Sequence, residues 1–167
     1  MSLGAQLIKE LEADKVPRDG IFHAYPDTGG IPTIGFGTTH YPDGKAVKLG
    51  DNCYTQQALA YLQYHLDFHV APFVKNLCSH FNGTVPPKVE AALESISYNC
   101  GENILTRDSF IIPVTNGDWG EFNEETCEGT GLAATFLMYK YATVNGKKEP
   151  ILLPRRIREV KYFLELD

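Results

Sequence analysis

Leu3, Leu7, Ile8 and Leu11 recur at the three- and four-residue spacing of a helix, with Lys9, Glu10 and Glu12 among them at polar positions. Ser2 is placed to cap the first turn. Pro17 bounds the far end, because the residue before a proline avoids the helical region. Glu10 and Glu12 therefore fall on the last turns of this helix. Periodicity is lost over residues 19–46, where Gly, Pro, Thr, Tyr and Asp dominate and turn pairs stand at Asp19-Gly20, Gly29-Gly30 and Asp43-Gly44. Ile21–Tyr25 and Thr33–Phe36 have strand composition and predict a two- or three-stranded antiparallel sheet. From Thr55, read as a cap, Ala58, Leu59, Leu62 and Leu66 restore helical spacing toward Cys78, with a kink or break at Pro72. Pro86-Pro87 opens a helix over Val89–Tyr98 that Gly101 closes. A short helix over Ser109–Val114 ends at the turn Asn116-Gly117-Asp118. Trp119–Phe122 and Gly131–Tyr141 read as further helix, Asn145-Gly146 as a turn, and Arg155–Leu166 as a last amphipathic helix with Ile157, Val160, Phe163 and Leu164 apolar. No internal repeat or low-complexity tract interrupts this order. The pattern predicts an α+β domain spanning residues 1–167. A small antiparallel β lobe at about 19–46 would be set beside a mainly helical lobe made of 1–18 and 47–167.

Composition narrows the function classes. A length of 167 residues suits one domain. No stretch approaches the roughly 18 apolar residues of a membrane span. Met1–Glu12 lacks the basic start, apolar middle and cleavage site of a signal peptide, so retention in a cytoplasm is expected at first. The net charge of -6 disfavours nonspecific nucleic-acid binding. Arg155, Arg156, Arg158 and Lys161 form the one local basic cluster and read as a solvated helix face. Cys53, Cys78, Cys100 and Cys127 include no CxxC pair, and in a cytoplasmic chain free thiols are expected. His65 and His69 share a helix face at a spacing that can hold a metal. No glutamate follows the first histidine and no third ligand is evident, so neither metal nor cofactor is expected. A Gly-x-Ser-x-Gly elbow is also missing from the sequence.

The remaining chemistry lies in carboxylates. Cleaving an acetal needs a protonated acid on the leaving oxygen and a second carboxylate that activates water or acts as nucleophile. Glu12, beside Leu11 and Ala13 at a helix end, is the candidate acid. Asp27, in a turn with Thr28, Gly29 and Gly30, is the candidate ionised partner. The Thr33 hydroxyl, both donor and acceptor, can hold a water. Gly35 and Gly37 would let a sugar approach the backbone. Asp19 and Glu10 are rival acids. Inversion and retention of the anomeric centre both stay open.

Several segments in order resemble the phage-type lysozymes, family 24 of the glycoside hydrolases. They are Leu7-Ile8-Lys9-Glu10-Leu11-Glu12, Ala24-Tyr25-Pro26-Asp27, and Gly30-Ile31-Pro32-Thr33-Ile34-Gly35-Phe36-Gly37, then Val47-Lys48-Leu49-Gly50-Asp51, Ser97-Tyr98-Asn99-Cys100-Gly101, Asn116-Gly117-Asp118 and Pro154-Arg155-Arg156. The resemblance implies a lysozyme-like fold with its cleft between the two lobes. It implies a muramidase that cuts the β-1,4 bond between N-acetylmuramic acid and N-acetylglucosamine. It carries the acid to Glu12, the second carboxylate to Asp27, the water-positioning threonine to Thr33, and substrate-binding positions to Tyr98 and Asn99. It further implies a monomeric endolysin that meets bacterial peptidoglycan once a separate pore-forming protein has breached the membrane. Tail-associated and host-defence lysozymes would share the chemistry, and a non-catalytic peptidoglycan-binding module would keep the cleft alone. Four departures stand out. Fourteen residues separate Glu12 from Asp27 where the family usually has eight, Gly37-Thr38 replaces Gly-His, the net charge is acidic where many relatives are basic, and Asn123–Thr135 reads as an extended loop.

Overall fold

A computed structural model describes residues 1–27, 29–144 and 146–166. The chain divides into two compact units, Met1–His69 and Val70–Asp167. The first opens with α1 (Leu3–Leu11). Ser2 caps it, its Oγ accepting from the Ala5 N–H at 3.2 Å. Gly4, Ala5, Leu7 and Ile8 form its buried face; of the four apolar residues expected there, Leu7 and Ile8 are buried, Leu11 is half-buried and Leu3, on the first turn, is exposed. A single 3-10 turn, Ala13–Lys15, follows.

The expected sheet is two separate two-stranded pieces. β1 (Ile21–His23) pairs antiparallel with the distant β4 (Asn52–Tyr54), while β2 (Tyr25–Pro26) pairs with β3 (Pro32–Thr33). The predicted strand Thr33–Phe36 breaks after Thr33. Gly35 takes φ +64 and Gly37 φ +118, conformations that L side chains rarely adopt. Gly35 also lies so close to α2 (Thr55–His65) that a Cβ there would stand 2.8 Å from the Ala58 Cβ. Thr55 is the first helical residue rather than the cap. Its hydroxyl donates to the Gly20 carbonyl at 3.1 Å, and Gln57 Oε1 accepts from the Tyr54 N–H at 2.9 Å.

A π-helical turn, Leu66–Val70, interrupts the long helical run ahead of Pro72. Pro72 is the second residue of α3 (Ala71–Cys78), directly after that turn in a continuous helical run. In the second unit, α4 (Pro87–Cys100) ends at Gly101 with φ +87. α5 (Asp108–Asn116) ends at a left-handed Gly117.

Trp119–Phe122 is not helical. Gly120, at φ +85, lies where a Cβ would fall 1.9 Å from the Thr130 carbonyl oxygen. The chain instead forms a hairpin of β5 (Phe122–Asn123) and β6 (Glu128–Gly129), which occupies the expected loop and leads into α6 (Gly131–Met138). A further hairpin, β7 (Ala142–Val144) with β8 (Lys147–Glu149), was not legible in the sequence. The predicted turn between them includes Asn145, outside the described residues. The last helix is α7 (Leu153–Leu164), which packs on α4 and α6. Phe110, Leu132 and Phe136 lie at the centre of this unit's core, with Phe163 beside Phe136 at 5.1 Å between ring centroids.

Candidate active site

Three of the five expected site residues belong to the first unit. Glu12 follows the last residue of α1, and its N–H still donates to the Ile8 carbonyl at 3.0 Å. Its side chain is buried with the residue only 8% exposed, and it forms an ion pair with Lys15 across the 3-10 turn. The rivals differ. Glu10 is exposed, and so is Asp19, whose Oδ1 accepts from the Ile21 N–H at 3.1 Å and closes a local turn.

Asp27 leads out of β2. Its Oδ1 accepts from the N–H groups of Gly29 and Ile31, both at 2.8 Å. The backbone closes the same turn, with the Asp27 N–H donating to the Ile31 carbonyl at 3.0 Å. One carboxylate oxygen is thereby fixed, and Oδ2 has no hydrogen-bond partner among the described residues. Thr28, at the tip, is outside the described residues. Thr33 pairs with Tyr25 in the β2–β3 register and is buried at 4% exposure. Its hydroxyl donates to the Ile31 carbonyl at 2.9 Å, which leaves its oxygen lone pairs as acceptors.

Gly35 does not present backbone to a ligand. It is buried against Ala58, between the fully buried Ile34 and Phe36 at 2% exposure. Gly37 is exposed. Close packing of the turn on α2, rather than access for a sugar, accounts for the first of the two glycines.

Tyr98 and Asn99 end α4 in the second unit. Tyr98 is half-buried and Asn99 exposed. Here the basic cluster departs from the solvated face expected of it. Arg156 and Glu159 are both fully buried, with Arg156 Nε 3.0 Å from Glu159 Oε2. Glu159 Oε1 also accepts from Ser95 Oγ at 2.6 Å and from Arg155 Nε at 3.2 Å. Desolvation pulls the Arg156 guanidinium below its ordinary pKa, and the Glu159 carboxylate opposes that shift. Sequence patterning missed this network because i,i+3 and i,i+4 charge pairs are the usual signature of exposed helix faces. Only the proximity of α4 to α7 converts them into a buried set.

A separate groove of about 810 Å³ lies between the β5–β6 hairpin and α6, lined by Phe122, Glu128 and Leu137 among others, and contains none of the expected site residues. No cluster of three or more potential metal ligands occurs among the described residues. No described helix is long and apolar enough to cross a membrane.

The sequence model of the phage lysozyme family matches residues 20–159, which leaves α1 and Glu12 outside the matched span. No curated protein matches the sequence. Among solved structures, the chain is similar to an endolysin from Escherichia coli O157:H7 phage FAHEc1, at 29% identity and a TM-score of 0.75, covering 99% of this chain and 92% of that one. A point mutant of P22 lysozyme matches at 25% identity and a TM-score of 0.69, over 98% of this chain and 99% of that one. The muramidase domain of SpmX from Asticaccaulis excentricus shares the fold at 22% identity and a TM-score of 0.66, over 96% and 94%.

Proposed function

The chain belongs to the phage lysozyme family, and from that premise we propose that it is a peptidoglycan hydrolase of the endolysin type, cutting the β-1,4 bond that joins N-acetylmuramic acid to N-acetylglucosamine. Glu12 acts as the general acid on the glycosidic oxygen, and Asp27 supplies the second carboxylate. The observation that carries the assignment is the contrast in burial among the candidate acids. Glu12 is 8% exposed at the end of a capped helix, while Glu10 and Asp19 are exposed. A proton donor works best where water is excluded.

The hydrogen bonds already made also suit the reading. With the Thr33 hydroxyl donated to Ile31, its oxygen can only accept from a water. Asp27 Oδ2 can accept the same water's other hydrogen. A water held by two acceptors turns a lone pair outward, toward the anomeric carbon. Tyr98 and Asn99 bind the glycan. The enzyme reaches the wall as a monomer after a separate protein has opened the membrane.

One rival has an observation behind it. The family match begins at residue 20, beyond Glu12, so a module that binds peptidoglycan without cleaving it would keep everything matched. Incubating the protein with Gram-negative sacculi separates the two. Cleavage releases new reducing ends on muramic acid, whereas new ends on glucosamine would overturn the bond assignment, and no release would leave only binding. Loss of general-acid catalysis is worth about 10²–10⁴ in rate, and Glu12→Gln is expected to fall in that range. Full activity in Glu12→Gln with loss in Asp19→Asn would move the acid to Asp19.

A further inference from the structure

A buried guanidinium dictates how Asn99 can be used. Arg156 has no acceptor atom. Its Nη2 donates to Asn99 Oδ1 at 2.9 Å and to Glu159 Oε1 at 3.2 Å. Turning the amide over would set its N–H donors against guanidinium donors, so a donor-only partner fixes which atom faces inward. The Cys100 thiol adds a second, weak donor to the same oxygen at 3.6 Å, and itself accepts from Arg156 Nη1 at 3.6 Å. Both acceptor directions of Oδ1 are therefore engaged. Asn99 is nonetheless exposed, and its Nδ2 makes no hydrogen bond among the described residues.

We propose that Arg156 and Glu159 are positioning residues that turn Asn99 into a donor-only contact, and that this contact reads the acetamido carbonyl of a substrate sugar. A hydroxyl can meet a donor or an acceptor equally well, whereas a carbonyl oxygen can only accept. A locked amide N–H therefore discriminates for a carbonyl and hardly at all for a hydroxyl. Glu159 is itself held by Ser95 and Arg155, so the chain of contacts that fixes Asn99 starts inside the core of the second unit. The inference rests on the hydrolase reading above, through the place of Asn99 among the substrate-binding residues.

The decisive variant is Asn99→Asp. It keeps an oxygen toward Arg156 and nearly the same volume, but replaces the outward donor by an acceptor. On soluble, uncross-linked peptidoglycan strands the KM is expected to rise about tenfold, the loss of roughly one hydrogen bond, with kcat within about twofold and an unchanged melting temperature. An unchanged KM would reduce Asn99 to a structural partner of Arg156 and overturn the proposal. Arg156→Lys keeps the charge beside Glu159 but cannot bridge to Asn99 with the same fork. Its KM effect is expected to overlap with that of Asn99→Asp, so that the double variant is no worse than the poorer single one. Costs that multiply would show independent action and sink the positioning role. If the wild type releases no reducing ends, the hydrolase reading fails by itself. Sedimentation with intact sacculi then tests the contact directly, weaker retention of Asn99→Asp supporting it and equal retention overturning it.

Discussion

Glu159 is the residue whose removal should be felt most. It is fully buried and accepts from Arg155, Arg156 and Ser95. Replacing it by leucine strands a buried guanidinium, a change that costs about 3–5 kcal/mol where it has been measured. The expected outcome is a fall of that size in unfolding free energy by denaturant titration, with Glu159→Gln losing less because it still accepts. Gly35 is a second sensitive point. At φ +64, with a Cβ 2.8 Å from Ala58, Gly35→Ala meets both backbone strain and a clash. Thermal melting should show a loss of about 1–3 kcal/mol from the strained backbone alone. The same substitution at Gly30, also at positive φ but with nothing within 4 Å, should lose less.

At the scale of elements, local rules served well where a segment satisfies itself. The Ser2 cap on α1 and the Gly101 and Gly117 terminators stand where sequence chemistry puts them, and Leu7 and Ile8 hold the buried face of that helix while Leu3 is exposed. Ser2→Ala should cost about 1 kcal/mol in stability, the ordinary value of a lost N-cap. Sequence reading failed where an element's partner is remote. β1 pairs with β4 some thirty residues on, rather than with its neighbour, so no hairpin signal marks it. The β5–β6 hairpin fails helical expectation because Gly120 faces the Thr130 carbonyl. Gly120→Ala should displace this hairpin, which amide exchange at the Glu121 and Thr130 N–H groups would report. Those groups now donate to Thr130 Oγ1 and to the Glu121 carbonyl.

Two consequences belong to the molecule as a whole. In the folded chain the Lys48 N–H and then the Tyr41 hydroxyl, both at 2.9 Å from Asp51 Oδ2, hold the Asp51 carboxyl below its ordinary range. A lowered folded pKa means stability that is present above the unfolded value of about 3.9 and is lost as pH falls through the folded one. Asp51→Asn should therefore flatten the acid limb of the stability curve, read by chemical denaturation between about pH 5 and pH 2. Cys78, half-buried on α3, offers a probe of opening around that helix. Burial, then the nearby charges of Glu90 and Glu94, push its thiol up to about 12. Since the thiolate is the reactive form, labelling at pH 8 should run roughly a thousandfold slower than for an open thiol. It should recover in denaturant, as stopped labelling and mass mapping of the Cys78 peptide would show.

The α+β lysozyme fold and the ordered motifs that carry the family likeness were legible in the chain itself. The helical period, the caps and the glycines each act within a few residues, so one sequence displays them. Tertiary structure decided the rest. The ion pair of Glu12 with Lys15 and the commitment of Asp27 Oδ1 to two amides depend on how a turn closes, and the burial of Glu12 appears only in the folded chain. The conversion of a basic helix face into a buried Arg156–Glu159 pair depends on α7 meeting α4. Sequence records which groups can ionise or hydrogen-bond. Which of them are dehydrated, and which of their atoms remain available, is fixed only when residues distant in the chain exclude water together.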